Sequence, residues 1–193
     1  GTLTARGGAV SNSGPGGGGR IAVHVTGSDD VSGFNPIVLL CGYAKGTRTS
    51  TGGTYYLETQ GDNGAGILTV YGINSTSTAS RTNVSDIDIA FDATTHVKKL
   101  VLSDNAQFAV TSGAVFEADD IVGTESGTAN QICLCGGTLK IPGDFRFATA
   151  RLNVRDAGSQ LVFTGSGNTL AATAVTRSSP VNSGSAKLVT ARP

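Results

Sequence analysis

The chain has 193 residues, enough for one domain with a sizeable core, and its 14 Lys and Arg balance 14 Asp and Glu. Zero net charge, with only 15% charged residues, leaves no electrostatic case for nucleic acid or anionic lipid as a partner. Gly at 28 residues, no Met, no Trp and 6% aromatics set it apart from an ordinary cytosolic enzyme. They favour a secreted or surface protein coated with hydroxyls and amides.

In chain order, a short strand over Thr2–Ala5 leads into the loop SGPGGGG and then the alternating strand RIAVHVT. In that strand Ile21, Val23 and Val25 share one face, and Arg20, Ala22 and His24 take the other. The glycine loop lacks the GKS/T and following helix of a phosphate cradle; its glycines serve backbone freedom instead. Three strands follow, in PIVLLCGY, GGTYYLET and GAGILTVYG, separated by KGTRTST and QGDNG. A glycine two residues before an apolar or aromatic residue recurs in GTLTA, GTYYL, GILTV and GTLKI, as expected where the chain turns a corner and then alternates inward. Residues 72–86 are Ser/Thr-rich and read as a long loop or excursion. Asp86–Ala90 and KLVLS alternate as strands, and a terminal strand closes the chain in KLVTARP. No heptad or capped-helix pattern occurs, so the fold class is all-β.

From Leu100 to Phe163 the apolar clusters are about three residues wide and separated by turn residues. Such strands suit a coil in which each stacks on its counterpart in the next turn. Phe108 to Leu139, Val115 to Phe145 and Ile121 to Leu152 recur at offsets of 30 or 31 residues, and Leu139 to Leu161 at 22. An insertion at Gly123–Asn130 accounts for the difference. The expectation is a parallel β-helix (β-solenoid), within the range of solenoid repeats, with a β-sandwich as the alternative. One domain spans 1–193: Gly-rich rungs over 1–72, a polar excursion over 73–86, regular rungs over 87–175, and a loop with a terminal strand over 176–193.

The cysteines number 3. Cys133 and Cys135 share a strand face and read as poorly placed to bridge one another. The candidate disulfide therefore joins Cys41 to Cys133 or Cys135, beside the simpler reading of three buried thiols. Asn74 and Asn83 are Asn-x-Ser/Thr acceptors if the host glycosylates asparagine. His24 and His96 have no ligand partner at a zinc spacing. The acidic pairs Asp29-Asp30, Asp86-x-Asp88 and Asp119-Asp120 match no calcium loop and read as turn or salt-bridge residues. Lys140, Asp144, Arg146, Arg151, Arg155 and Asp156 are the best acid–base set a lyase could draw on. Charges on outward strand positions are ordinarily a solvated face, so neither an enzyme nor a cofactor is expected.

GGAVSNSGPGGGGRIAVHV, followed by GGTYYLE and GILTVYG, resembles the Gly-rich repeats of very large bacterial surface proteins, the adhesin-like and autotransporter-like chains. The motif match covers roughly residues 1–72, and residues 97–175 resemble them in β-helix style. The resemblance implies a right-handed parallel β-helix or related solenoid in the cell envelope or outside it.

The ends suggest how such a protein works. Stacked strands expose unpaired edges unless these are capped or joined to another chain. Leu3, Thr4, Ala5 and Arg6 are echoed by Leu188, Val189, Thr190, Ala191 and Arg192. The expected partner is the protein itself, in a head-to-tail homopolymer, with surface glycans as a further partner class. The strand-like start at Gly1 fits a piece processed from a larger precursor, and no apolar run is long enough for membrane insertion. The expected function is structural: a subunit of an extracellular or cell-surface filament. A carbohydrate-active β-helix, lyase or glycan binder, is the alternative, and a tailspike-like fibre is third.

Overall fold

A computed structural model describes residues 1–5, 17–34, 37–39, 52–72, 89–91, 93–123, 130–143, 145–165, 170–177 and 187–190. For 37–39, 89–91, 145–150, 170–177 and 187–190 it describes the backbone alone. The first strands are β1 (Thr2–Thr4), β2 (Arg20–Val25), β3 (Ile37–Leu39), β4 (Thr54–Thr59) and β5 (Ile67–Tyr71), with a 3-10 turn at Gln60–Asp62. Then come β6 (Ile89–Phe91), β7 (Thr95–Ser103), β8 (Gln107–Thr111), β9 (Val115–Gly123) and β10 (Asn130–Cys135). The last are β11 (Thr138–Ile141), β12 (Phe145–Val154), β13 (Gln160–Phe163), β14 (Leu170–Arg177) and β15 (Lys187–Thr190). The described chain is nearly all β, as its composition and patterning lead one to expect.

From β6 onward, consecutive strands alternate between two sheets. The even strands build a five-stranded sheet in the order β14-β12-β10-β8-β6. The odd ones continue an eight-stranded sheet, β15-β13-β11-β9-β7-β5-β4-β2. Parallel neighbours need a crossover, commonly a helix; here the way back is a strand in the facing sheet. Both sheets are parallel throughout this region. Among the described strands, only β4 and β5 pair antiparallel. β1 and β3 form a separate parallel pair.

The inward residues of the two sheets meet in one apolar core. Phe108, Val110, Ile132, Leu134 and Leu152 come from the five-stranded sheet, and Leu100, Leu102, Phe116, Leu139, Ile141 and Leu161 from the other. The rings of Phe108 and Phe116 meet edge-on across it, with centroids 4.8 Å apart, a favoured aromatic geometry. The alternation of burial breaks once within β7 and once within β9. Val97 and Leu100 are both buried although three residues apart, with exposed Lys98 between them. Ala118 and Ile121 repeat the pattern around exposed Asp119 and Asp120.

The register corrects the offset read from the sequence. Thr95, Phe116, Leu139 and Leu161 are successive partners, spaced by 21, 23 and 22 residues. Phe108 pairs with Ile132 and Ile132 with Leu152, so Phe108 and Leu139 lie in different sheets. Only the 22-residue step from Leu139 to Leu161 was a true neighbour relation. The turns between sheets explain the phase. Gly113, Gly136 and Gly158 stand at φ +82°, +88° and +85°, each three residues before Phe116, Leu139 or Leu161. That left-handed backbone carries little cost only for glycine, so these three residues mark equivalent corners. The polar run proposed as an insertion falls between β9 and β10, and its residues 124–129 lie outside the described ones.

Candidate functional site

The described residues with the densest polar chemistry sit around the β4–β5 reversal. Asp62 ends the 3-10 turn, and its side chain is 6% exposed. One carboxylate oxygen accepts from the Thr59 backbone N–H at 2.8 Å and from the Thr59 hydroxyl at 2.9 Å. The other accepts from Lys98 Nζ at 2.8 Å. The Lys98 ammonium and the Thr59 donors hold the Asp62 carboxyl at about 2, below its ordinary 3.8. Asp62 in turn raises the Lys98 pKa. Asp29, from the segment after β2, accepts from the Gly61 backbone N–H and ties that segment to the same turn. Together these residues border a cleft of about 410 Å³, whose apolar lining is Val31, Leu57 and Ile67.

A second cluster lies on the neighbouring positions of the same hairpin. Tyr56 Oη lies 2.9 Å from Glu58 Oε2 and 3.1 Å from the Gly64 carbonyl, and it accepts from Gly66 N–H at 2.9 Å. Glu58 Oε1 accepts from Gly64 N–H at 2.9 Å. His24 faces Glu58 directly across β2 and β4, with Nδ1 at 3.1 Å from Oε2. Burial, above all, raises the Tyr56 hydroxyl pKa. Along β7 the charges continue as cross-strand pairs, His96 with Asp119 at 2.9 Å and Lys99 with Asp120 at 3.1 Å. These groups spend their bonding capacity on one another. They tie the β4–β5 reversal together and link β7 to β9 across the ladder.

The residues singled out from sequence are dispersed. Lys140 lies in β11 and Arg146 in β12, so they belong to different sheets, and Arg146 and Arg151 share one strand. Arg155 is engaged with its neighbour Asp156 at 3.3 Å, and Asp144 lies outside the described residues. Asp30 accepts from Ser32 N–H at 2.9 Å, a turn role, and the Ser32 hydroxyl together with this backbone bond lowers its pKa. His24 is exposed on an edge strand. Among the described residues no group of three His, Cys, Asp or Glu is placed to hold a metal, and no helix is long and apolar enough to cross a membrane.

The cysteine expectation is corrected. Cys133 is bonded to Cys135, with Cα atoms 5.7 Å apart, inside the range a disulfide spans. Adjacent same-face positions on one strand therefore suffice, and neither sulfur is left for Cys41, which lies outside the described residues, as do Asn74, Asn83, Asp86 and Asp88. Of the assembly residues, Leu3 and Thr4 lie in β1, and Leu188, Val189 and Thr190 in β15. β1 pairs with β3 beside the large sheets, so the opposite edge of the eight-stranded sheet is β2. Arg6, Ala191 and Arg192 lie outside the described residues. Tyr56, Glu58, Asp62 and Lys98 were not singled out from sequence. The signal was present in QGDNG between two alternating apolar runs, a hairpin signature.

Comparison with protein-family models, curated proteins and solved structures finds no match.

Proposed function

We propose that the chain is a β-solenoid and acts as a structural subunit of an extracellular or cell-surface filament, adhesin-like, its copies joining head to tail. One observation carries this reading: the two large sheets end in edge strands, β2 and β15 in one and β6 and β14 in the other, each with a named partner on one side only among the described strands. Edge strands are templates for pairing with another chain. A heterologous contact that does not close on itself builds a filament. The Gly-rich resemblance over residues 1–72 supports the same setting.

Negative-stain electron microscopy of the purified protein tests it. Fibres should form with concentration and should disappear when residues 187–193 are deleted, while the strand signal in circular dichroism persists. Dispersed particles from the intact chain, or fibres unaffected by the deletion, would refute the reading.

Glycan binding is the second reading, and the cleft between Val31, Leu57, Ile67 and Lys98 is what favours it. Binding to an acidic or neutral polysaccharide that Lys98→Ala weakens would support it.

A further inference from the structure

We infer that Cys133 and Cys135 form a reversible dithiol–disulfide site that exchanges with small thiols through Cys135. The inference rests on where the bond sits. The two cysteines are separated by two positions on β10. That strand is hydrogen-bonded on both sides, to β8 across Gln131–Cys135 and to β12 across Asn130–Leu134. The two ladders already fix the positions of both Cα atoms. A bond that closes so short a ring removes little freedom from the unfolded chain, since the entropic stabilisation grows with loop length. It is therefore poorly explained as a staple. When it opens, the ladders keep the thiols 5.7 Å apart at the Cα atoms, ready to close again.

Exposure assigns a role to each sulfur. Cys133 is 2% exposed, while Cys135, the last residue of the strand, is only partly buried. It is followed by Gly136, which is half-buried and stands at φ +88°. Exchange begins with a thiolate attacking a disulfide sulfur along an accessible path, which here leads to Cys135. The small thiolate bonds to Cys135 Sγ and the Cys133–Cys135 bond breaks. Its electron pair leaves with Cys133, which takes up a proton. A second small thiol then attacks the mixed disulfide and departs as the oxidised small-molecule disulfide, leaving Cys135 as a thiol. Two small thiols are oxidised and one protein disulfide is reduced. The reverse sequence restores it.

The test uses the full chain carrying Cys41→Ser, so that only the two strand cysteines report. Folded protein is equilibrated in buffers of varied reduced and oxidised glutathione, quenched in acid and alkylated, and the peptide is mapped by mass spectrometry. The expected result is interconversion between no alkylated cysteine and two, with the strand signal in circular dichroism retained. Adding Cys133→Ser should leave Cys135 open to a glutathione adduct, whereas Cys133 in the Cys135→Ser protein should gain one only on unfolding. A bond that resists reduction until the chain unfolds, or an adduct on Cys133 as readily as on Cys135, would overturn the inference. Should either double variant fail to fold, acid-trapped mixed disulfide on the Cys41→Ser protein gives the same answer: it lies on Cys135 or the inference fails.

Discussion

Asp62 shows how unequal the charged residues are. Its nearly buried carboxylate receives two donors from Thr59 and one from Lys98, whereas Lys99 and Asp120 face each other with side chains 39% and 50% exposed. Hydrogen bonds to a charged group contribute more than neutral ones, and exposed ion pairs contribute little. Asp62→Ala should lower the unfolding free energy by about 2 kcal/mol at neutral pH, and Lys99→Ala by less than about 0.5 kcal/mol. Because folding lowers the Asp62 pKa, its stabilisation is fully present above the unfolded value of 3.8 and is lost as pH falls through about 2. Urea titrations of wild type and Asp62→Ala should therefore differ by a constant amount near neutrality and converge between those two values. A gap that persists below pH 2 would assign the effect to packing instead.

At the scale of the element, the inter-sheet corners decide the register. At φ +88°, Gly136 occupies left-handed backbone, and a Cβ there would lie 3.1 Å from the Ser112 Cβ. Gly136→Ala should cost roughly 1–3 kcal/mol. Gly143 has nothing within 4 Å of a built Cβ and no positive φ, so Gly143→Ala should stay within about 0.5 kcal/mol. Equal denaturation midpoints for the two variants would remove the corner argument. These corners also show what could be read in advance. All-β character and the alternation of β2 were legible, because strand periodicity is a local signal, whereas the corner before Leu139 falls at Gly136, one residue ahead of the glycine in GTLKI. The offset was not legible. Apolar clusters of both sheets look alike, so Phe108 of β8 could be aligned with Leu139 of β11. Only the glycines separate the two sheets, and GAVFEA and GSQLVF were not grouped with GTLKI. The clamp of Tyr56, Glu58 and Asp62 was hidden for a different reason: its partners depend on the direction in which β5 returns.

For the whole molecule, that return sets the polarity of any joint between copies. β5, β7, β9, β11, β13 and β15 run one way, and β4 and β2 the other. If copies repeat along the stacking direction, β15 meets the next β2 antiparallel, whereas β14 meets the next β6 parallel. Single cysteines placed along β2 and β15, in a background with the natural cysteines replaced, should crosslink in fibres with an opposed order: early positions of one strand to late positions of the other. Like-to-like crosslinks would mean that copies join by another surface.

The ladder bonds of both sheets lie along the direction in which the strands stack. Tension applied along that direction loads the bonds of one strand pair at a time, so the molecule peels instead of shearing. Each release frees a segment set by the corner spacing, some 21 to 23 residues between successive partners, or roughly 70–80 Å of extended chain. A protein built this way yields to a pull in steps, lengthening many times over while the strands not yet reached keep their shape.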